Sequence, residues 1–203
     1  ELDPALIEGV RRQSHNPRVA SGLGVIPRVV SNGRAIYRGK ITMAEAQSRL
    51  DGYWHPYHGM LQGLLDAAHL RHGQTVLVDC HSMPHEAVQS SVFNGIKRPN
   101  IVLGDRFGAA AGGEVVDRIE EAFTSEGFVV ARNAPFAGAY VTQAYGRPSR
   151  GQHAVQVEID RALYMDESRI MPSADFEAVR LALRNVVAQV SQIGMERMPL
   201  AAE

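Results

Sequence analysis

The run Thr75-Val76-Leu77-Val78-Asp79-Cys80-His81-Ser82-Met83-Pro84 constrains the fold of this chain most. Mainly apolar residues lead without alternation into an Asp, a His and a Ser, and stop at a Pro. Such a run reads as a strand buried on both faces of a parallel sheet. Polar groups at the carboxyl end of such a strand lie where open α/β sheets bind ligands. A second strand, Ala154-Val155-Gln156-Val157-Glu158-Ile159, delivers a carboxylate in the same manner. A His and a Glu brought to one sheet edge point to metal-assisted hydrolysis.

The rest of the pattern alternates strand and helix. Strands are predicted at 75–80, 100–104, 128–132 and 154–159. Between the second and third lies a helix with Val115, Val116, Ile119, Ala122 and Phe123 on one face, ending at Gly127. A last helix, capped by Ser173, carries the stripe Phe176, Val179, Leu183, Val186, Val187, Val190 and Ile193. Upstream, Asp3-Pro4 opens a short helical stretch that ends near Asn16-Pro17. Val25 to Arg38 reads as a hairpin turning at Ser31-Asn32-Gly33. Thr42 and Glu45 form a capping-box pattern before a long helix that Pro56 should kink or break. The expected fold class is α/β, a mostly parallel or mixed sheet with helices on both faces.

Composition narrows the function classes. The 203 residues, 45% hydrophobic, fit one globular domain over 1–203 with a substantial core. A formal net charge of −1 leaves no electrostatic footprint for nucleic acid or an anionic membrane, so neither is an expected partner. No apolar run is long enough to span a bilayer and no signal-peptide core is seen. The single Cys80 excludes an internal disulfide and a Cys-rich zinc site and is compatible with the cytoplasm, the expected location. Strand alternation points Cys80 away from Asp79 and His81, and a buried apolar thiol there stays protonated.

Each candidate site residue has a functional reading and a structural one. His81 reads as a catalytic zinc ligand or as a strand-end His bonded to neighbouring backbone. Asp79 orients His81 or bonds loop amides. Glu158, between Val157 and Ile159, is costly to bury unless paired or functional. It is either a general base with a raised pKa or half of an ion pair with Arg161 or Arg106. Arg106, in Gly104-Asp105-Arg106-Phe107-Gly108, either grips a substrate carboxylate or pairs with Asp105. The loop Asn133 to Thr142, with Tyr145-Gly146, is rich in hydrogen-bonding groups and suits a site lining. His85 reads as loop surface or as support for the site. His55 and His58, in an aromatic cluster, read as packing.

Four segments in order resemble one family: Val78 to Pro84, Val102 to Gly108, Asn133 to Thr142 with Tyr145-Gly146, and His153 to Arg161 with Leu163-Tyr164-Met165. Together they resemble the N-formylglutamate amidohydrolase (deformylase) family, itself distantly similar to zinc carboxypeptidases. The flanking Asn16-Pro17-Arg18, Arg38-Gly39-Lys40 and Trp54 to His58 extend the resemblance over nearly the whole chain. The resemblance implies a phosphorylase/hydrolase-like fold and zinc-dependent cleavage of an N-formyl (N-acyl) amino acid. The substrate it implies is N-formylglutamate, a small-molecule partner, giving glutamate and formate in histidine catabolism. By the same resemblance His81 is a zinc ligand and Glu158 the general base, with Asp79 and Ser82 supporting them. Arg106, Arg38, Asn133, Gly138, Thr142 and Tyr145 are the expected substrate-binding residues. The family's other two zinc ligands, a His and a Glu on an amino-terminal strand and loop, find no counterpart. The expectation is therefore a chain truncated at its amino terminus and missing its first strand or strands. The rival readings are a metallocarboxypeptidase-like or other N-acyl amino acid hydrolase, and a metal-free binding remnant.

Overall fold

Strands β1 (Thr75–Met83), β2 (Ile101–Gly104), β3 (Val130–Arg132) and β4 (Gln152–Asp160) form one sheet in the order β1-β4-β2-β3. The structure, a computed structural model, describes residues 1–10, 16–30, 33–89 and 98–193. β1 runs parallel to β4 and β2 parallel to β3, while β2 meets β4 antiparallel. The sheet is therefore mixed, as expected. A two-stranded ribbon, β5 (Met165–Asp166) with β6 (Met171–Pro172), stands apart from it.

The period-two alternation of β4 sorts its side chains onto two faces. Val155 and Val157, with Ile101 and Leu103 of β2, pack against the helices α5 (Gly113–Ser125) and α7 (Phe176–Val190). In α5, Val115, Val116, Ile119, Ala122 and Phe123 are all buried, the face predicted from their spacing. Each such fully buried aliphatic side chain contributes roughly 1.5–3 kcal/mol. On the opposite face Met83, Val88 and Val102 form a smaller cluster beside α4 (Glu86–Gln89), and α6 (Tyr140–Tyr145) lies against β4.

Several local expectations change. β1 was expected to be buried on both faces, yet its middle is only half-buried and Cys80 is exposed. Among the described strands β1 has one neighbour, β4. Cys80 nonetheless lines an apolar cavity with Val76, Val78 and Val157, and burial there followed by the Asp79 charge pushes its thiol up. The Ser173 hydroxyl donates to the Leu163 carbonyl, and Asp175 takes the cap position of α7. The α7 stripe is narrower than predicted, since Phe176 and Val187 are exposed.

The chain divides into two compact units, Glu1–Gly63 and Leu64–Glu203. In the first, Leu6, Ile7, Ile26, Ile41 and Ala46 form the core. The stretch from Asp3 is turns and a bridge between Ile7 and Ile41, and Pro17 begins the short helix α1 (Pro17–Ala20) rather than following one. Asn16 caps that helix and Pro17 sits at its first position, where a missing N–H costs nothing. The hairpin is present as a Val29–Ala35 bridge; Ser31 and Asn32 lie outside the described residues. Thr42 caps α2 (Met43–Arg49), but Glu45 pairs with Arg49 instead of completing the box. A π-helical turn, Leu50–Trp54, precedes α3 (His55–His72). It falls directly before Pro56, whose missing N–H would break a regular ladder, so the predicted disruption takes this form. The Trp54 and His58 rings meet at a tilt with centroids 4.4 Å apart, in keeping with a packing role. No helix among the described residues is long and apolar enough to cross a membrane.

One histidine ties the sheet to the segment before α5. Gly112 N–H donates to His153 Nδ1 at 3.0 Å, which requires a neutral ring. Burial lowers the His153 pKa, opposed by the Glu114 charge. The unfolded ring therefore binds its proton at higher pH than the folded one. This contribution to stability is present above the ordinary His pKa of about 6.5 and is lost as pH falls below it toward the folded value. Melting temperatures across that range should fall with acidity, and His153→Gln should flatten the slope; an unchanged slope would remove the assignment.

Candidate active site

Asp79 and His81 lie on the face of β1 that continues Gln156 and Glu158 on β4. The register sets Asp79 against Gln156 and His81 against Glu158. All four sit inside the strands rather than beyond their ends, because pairing continues to Met83 and Asp160. The site is thus on the face of the sheet, not at the sheet edge expected from strand ends.

Glu158 is buried and Gln156 more so. Gln156 Nε2 donates to Glu158 Oε1 at 2.7 Å. Burial holds the Glu158 carboxyl above the usual carboxylate range; His81, the Gln156 amide and Arg161 pull it back, and Asp79 pushes it further up. Asp79 Oδ2 lies 3.0 Å from His81 Nε2. The contact is close enough for an ion pair but has no hydrogen-bond geometry, which leaves Asp79 Oδ2 a buried oxygen without a donor.

The loop from Asn133 to α6 lies over this face. Ala139 N–H donates to Gln156 Oε1 at 2.8 Å, so one glutamine amide joins the loop to Glu158. Gly104 makes the close approach possible: a methyl group there would lie 2.5 Å from Gly138 N and 2.7 Å from Ala137 C. At Gly138, φ is +107°, and a methyl group would lie 2.6 Å from Thr142 Oγ1 and 3.3 Å from Arg106 Cγ. Gly138, Thr142 and Arg106 therefore converge. The buried Thr142 hydroxyl donates to the Ala139 carbonyl, and Tyr145 is buried in α6.

Other candidates fall elsewhere. The Ser82 hydroxyl accepts from Arg161 Nε at 3.1 Å, and alternation turns it from the His81 face. The Asn133 amide is taken up by Asp105 and Phe107. Arg38 is exposed in the first unit. His85 Nδ1 lies 2.7 Å from the buried Asp160. Gln156 was missed by sequence reasoning. Its signal was a lone amide in an apolar strand, two residues before Glu158 and hence on the same face.

A catalytic zinc takes three protein ligands and an open position. No group of three His, Cys, Asp or Glu among the described residues could hold a metal ion. These residues do not by themselves fit a metal centre. Both His81, with Asp79 Oδ2 at 3.0 Å, and His85, with Asp160 Oδ2 at 2.7 Å, have a carboxylate beside one ring nitrogen, the kind of neighbour that ligating imidazoles have.

The model of the family described as N-formylglutamate amidohydrolase matches residues 1–165. The chain belongs to the N-formylglutamate amidohydrolase family. It is 32% identical over 183 residues to an N-formylglutamate deformylase of Pseudomonas aeruginosa, covering 86% of this chain and 66% of that protein. It is 31% identical over 152 residues to an N-formylglutamate deformylase of Pseudomonas putida, covering 71% of this chain and 54% of that protein. The chain thus spans less than two thirds of either relative. The crystal structure of an N-formylglutamate amidohydrolase from Ralstonia eutropha superposes with a TM-score of 0.82 at 30% identity, covering 96% of this chain and 70% of that one. The mixed α/β sheet is accordingly the architecture of an N-formylglutamate amidohydrolase.

The Gly104–Gly138 approach is testable. Gly104→Ala drives a methyl group into backbone, so the loop must move. We expect a loss of about 1–3 kcal/mol of stability, the range for overpacking. A melting temperature equal to that of the parent protein would show that the two segments do not meet.

Proposed function

We propose that the complete protein hydrolyses the amide of an N-formyl amino acid, with N-formylglutamate as substrate and glutamate and formate as products. The observation that carries this reading is the buried Glu158, its pKa raised, set opposite His81 on one sheet face. A carboxylate whose proton affinity is raised by burial is a better proton acceptor than an exposed one. Glu158 takes a proton from water as the water oxygen bonds to the formyl carbon. The C–N bond then breaks, and Glu158 passes that proton to the departing nitrogen. Gln156 holds one carboxylate oxygen, which aims the other at the reaction. Arg106, which meets the loop over the Glu158 face at Ala137 and Gly138, is assigned the substrate carboxylate. Thr142 and Tyr145 shape the pocket by fixing the loop and α6.

His81 is proposed as a ligand to zinc, which when bound supplies an acidified water and a polarised formyl oxygen. The rival reading, a metal-free binding domain, draws on the lack of a three-ligand group among the described residues.

In the complete protein, Glu158→Gln should retain fold and substrate affinity yet lose roughly 100- to 10,000-fold in kcat, the range for a general base. Activity near that of the parent would exclude Glu158 as the base. His81→Ala should lower bound zinc measured by elemental analysis, independently of activity. Equal zinc in parent and variant would remove His81 from the ligand set, and a parent free of zinc yet retaining affinity for N-formylglutamate would favour the binding domain.

A further inference from the structure

The turn after β2 is more constrained than a surface loop requires. Arg106 and Phe107 have φ of 57° and 56°, and Asn133, across from them, has 58°. Residues with a Cβ are disfavoured in this left-handed region, bulky ones most, and persist there where their surroundings over-determine them. Apolar burial does not explain the turn, because Phe107 is 80% exposed.

A dense set of hydrogen bonds does the over-determining. Asn133 Oδ1 accepts from the N–H groups of Asp105 at 3.1 Å and Phe107 at 3.3 Å. Asn133 Nδ2 donates to Asp105 Oδ1 at 2.6 Å, and Gly108 N–H donates to Asp105 Oδ2 at 3.0 Å. The Arg106 N–H donates to the Ala137 carbonyl at 2.7 Å, which ties the turn to the loop over the site. The buried Asp105 is spent on this lock and makes no ion pair with Arg106 among the described residues. The Arg106 charge is left for another anion.

We infer that the Asp105–Asn133 lock is a specificity device. It fixes Arg106 to receive the carboxylate of an acidic substrate side chain, and so selects acidic N-formyl amino acids over neutral ones. Asn133 is then a positioning residue, not a substrate contact. The inference rests on the reading of Arg106 proposed above. Arg106 meets the loop over the Glu158 face at two points: its N–H donates to the Ala137 carbonyl, and a methyl group on Gly138 would lie 3.3 Å from its Cγ.

The test compares kcat/KM for N-formylglutamate and its neutral isostere N-formylglutamine in the complete enzyme. Asn133→Gly deletes the amide but leaves the left-handed backbone accessible. The acidic-to-neutral ratio should fall about tenfold, as expected when a charge-assisted contact is weakened, and the loss should enter through KM for the acidic substrate. An unchanged ratio, or equal losses on both substrates, overturns the inference. Arg106→Ala separates it from its premise. If that variant keeps the ratio, the reading of Arg106 fails. If it collapses the ratio while Asn133→Gly does not, only the lock fails. Should Asn133→Gly not fold, Asp105→Asn weakens the same lock at nearly constant size and is read by the same criteria.

Discussion

The parallel register of β1 on β4 sets His81 opposite Glu158 and Asp79 opposite Gln156. Everything polar at the site depends on it. Side chains alternate with a period of two, so a slip of β1 by one residue would turn Asp79 and His81 onto the other face. On β4 that face packs against α5 and α7, and it is apolar at Val155 and Val157. Charged groups there would lack partners, which makes the observed register the one the sequence tolerates.

From that register the electrostatics follow. Glu158 is buried because β4 is an inner strand, between β1 and β2. Burial alone would favour the neutral acid. The Gln156 amide and the nearby His81 moderate the rise, while Asp79 sharpens it. The net effect of these neighbours and of burial is a carboxyl raised above an ordinary surface Glu. The same Gln156 accepts from Ala139, so the group that tunes Glu158 also fastens the loop above it.

The strands, the α5 face and the opposition of Cys80 to Asp79 and His81 were legible because hydrophobic period and strand alternation act locally. Glu158 was legible because a carboxylate between Val157 and Ile159 is costly without a role. Ser82 and Asn133 were harder to assign. Their types suit a site, but the partners that claim them, Arg161 and Asp105, lie far along the chain. The position of the site was misjudged for a related reason. Strand ends are set by the neighbour, and β4 carries β1 on to Met83. The exposure of β1 was hidden in the same way, since its apolar run says nothing about which edge is covered.

Glu158 lies in the body of an inner strand, whereas Arg106 hangs on a turn. These two placements age differently under mutation. A strand flanked on both sides accepts neither insertion nor shift, so Glu158 is frozen with the sheet. A turn braced by side-chain hydrogen bonds can be re-lettered without touching that sheet. New contacts to a bound molecule are therefore most accessible through residues 105–108 and 133–139, where change leaves the sheet intact.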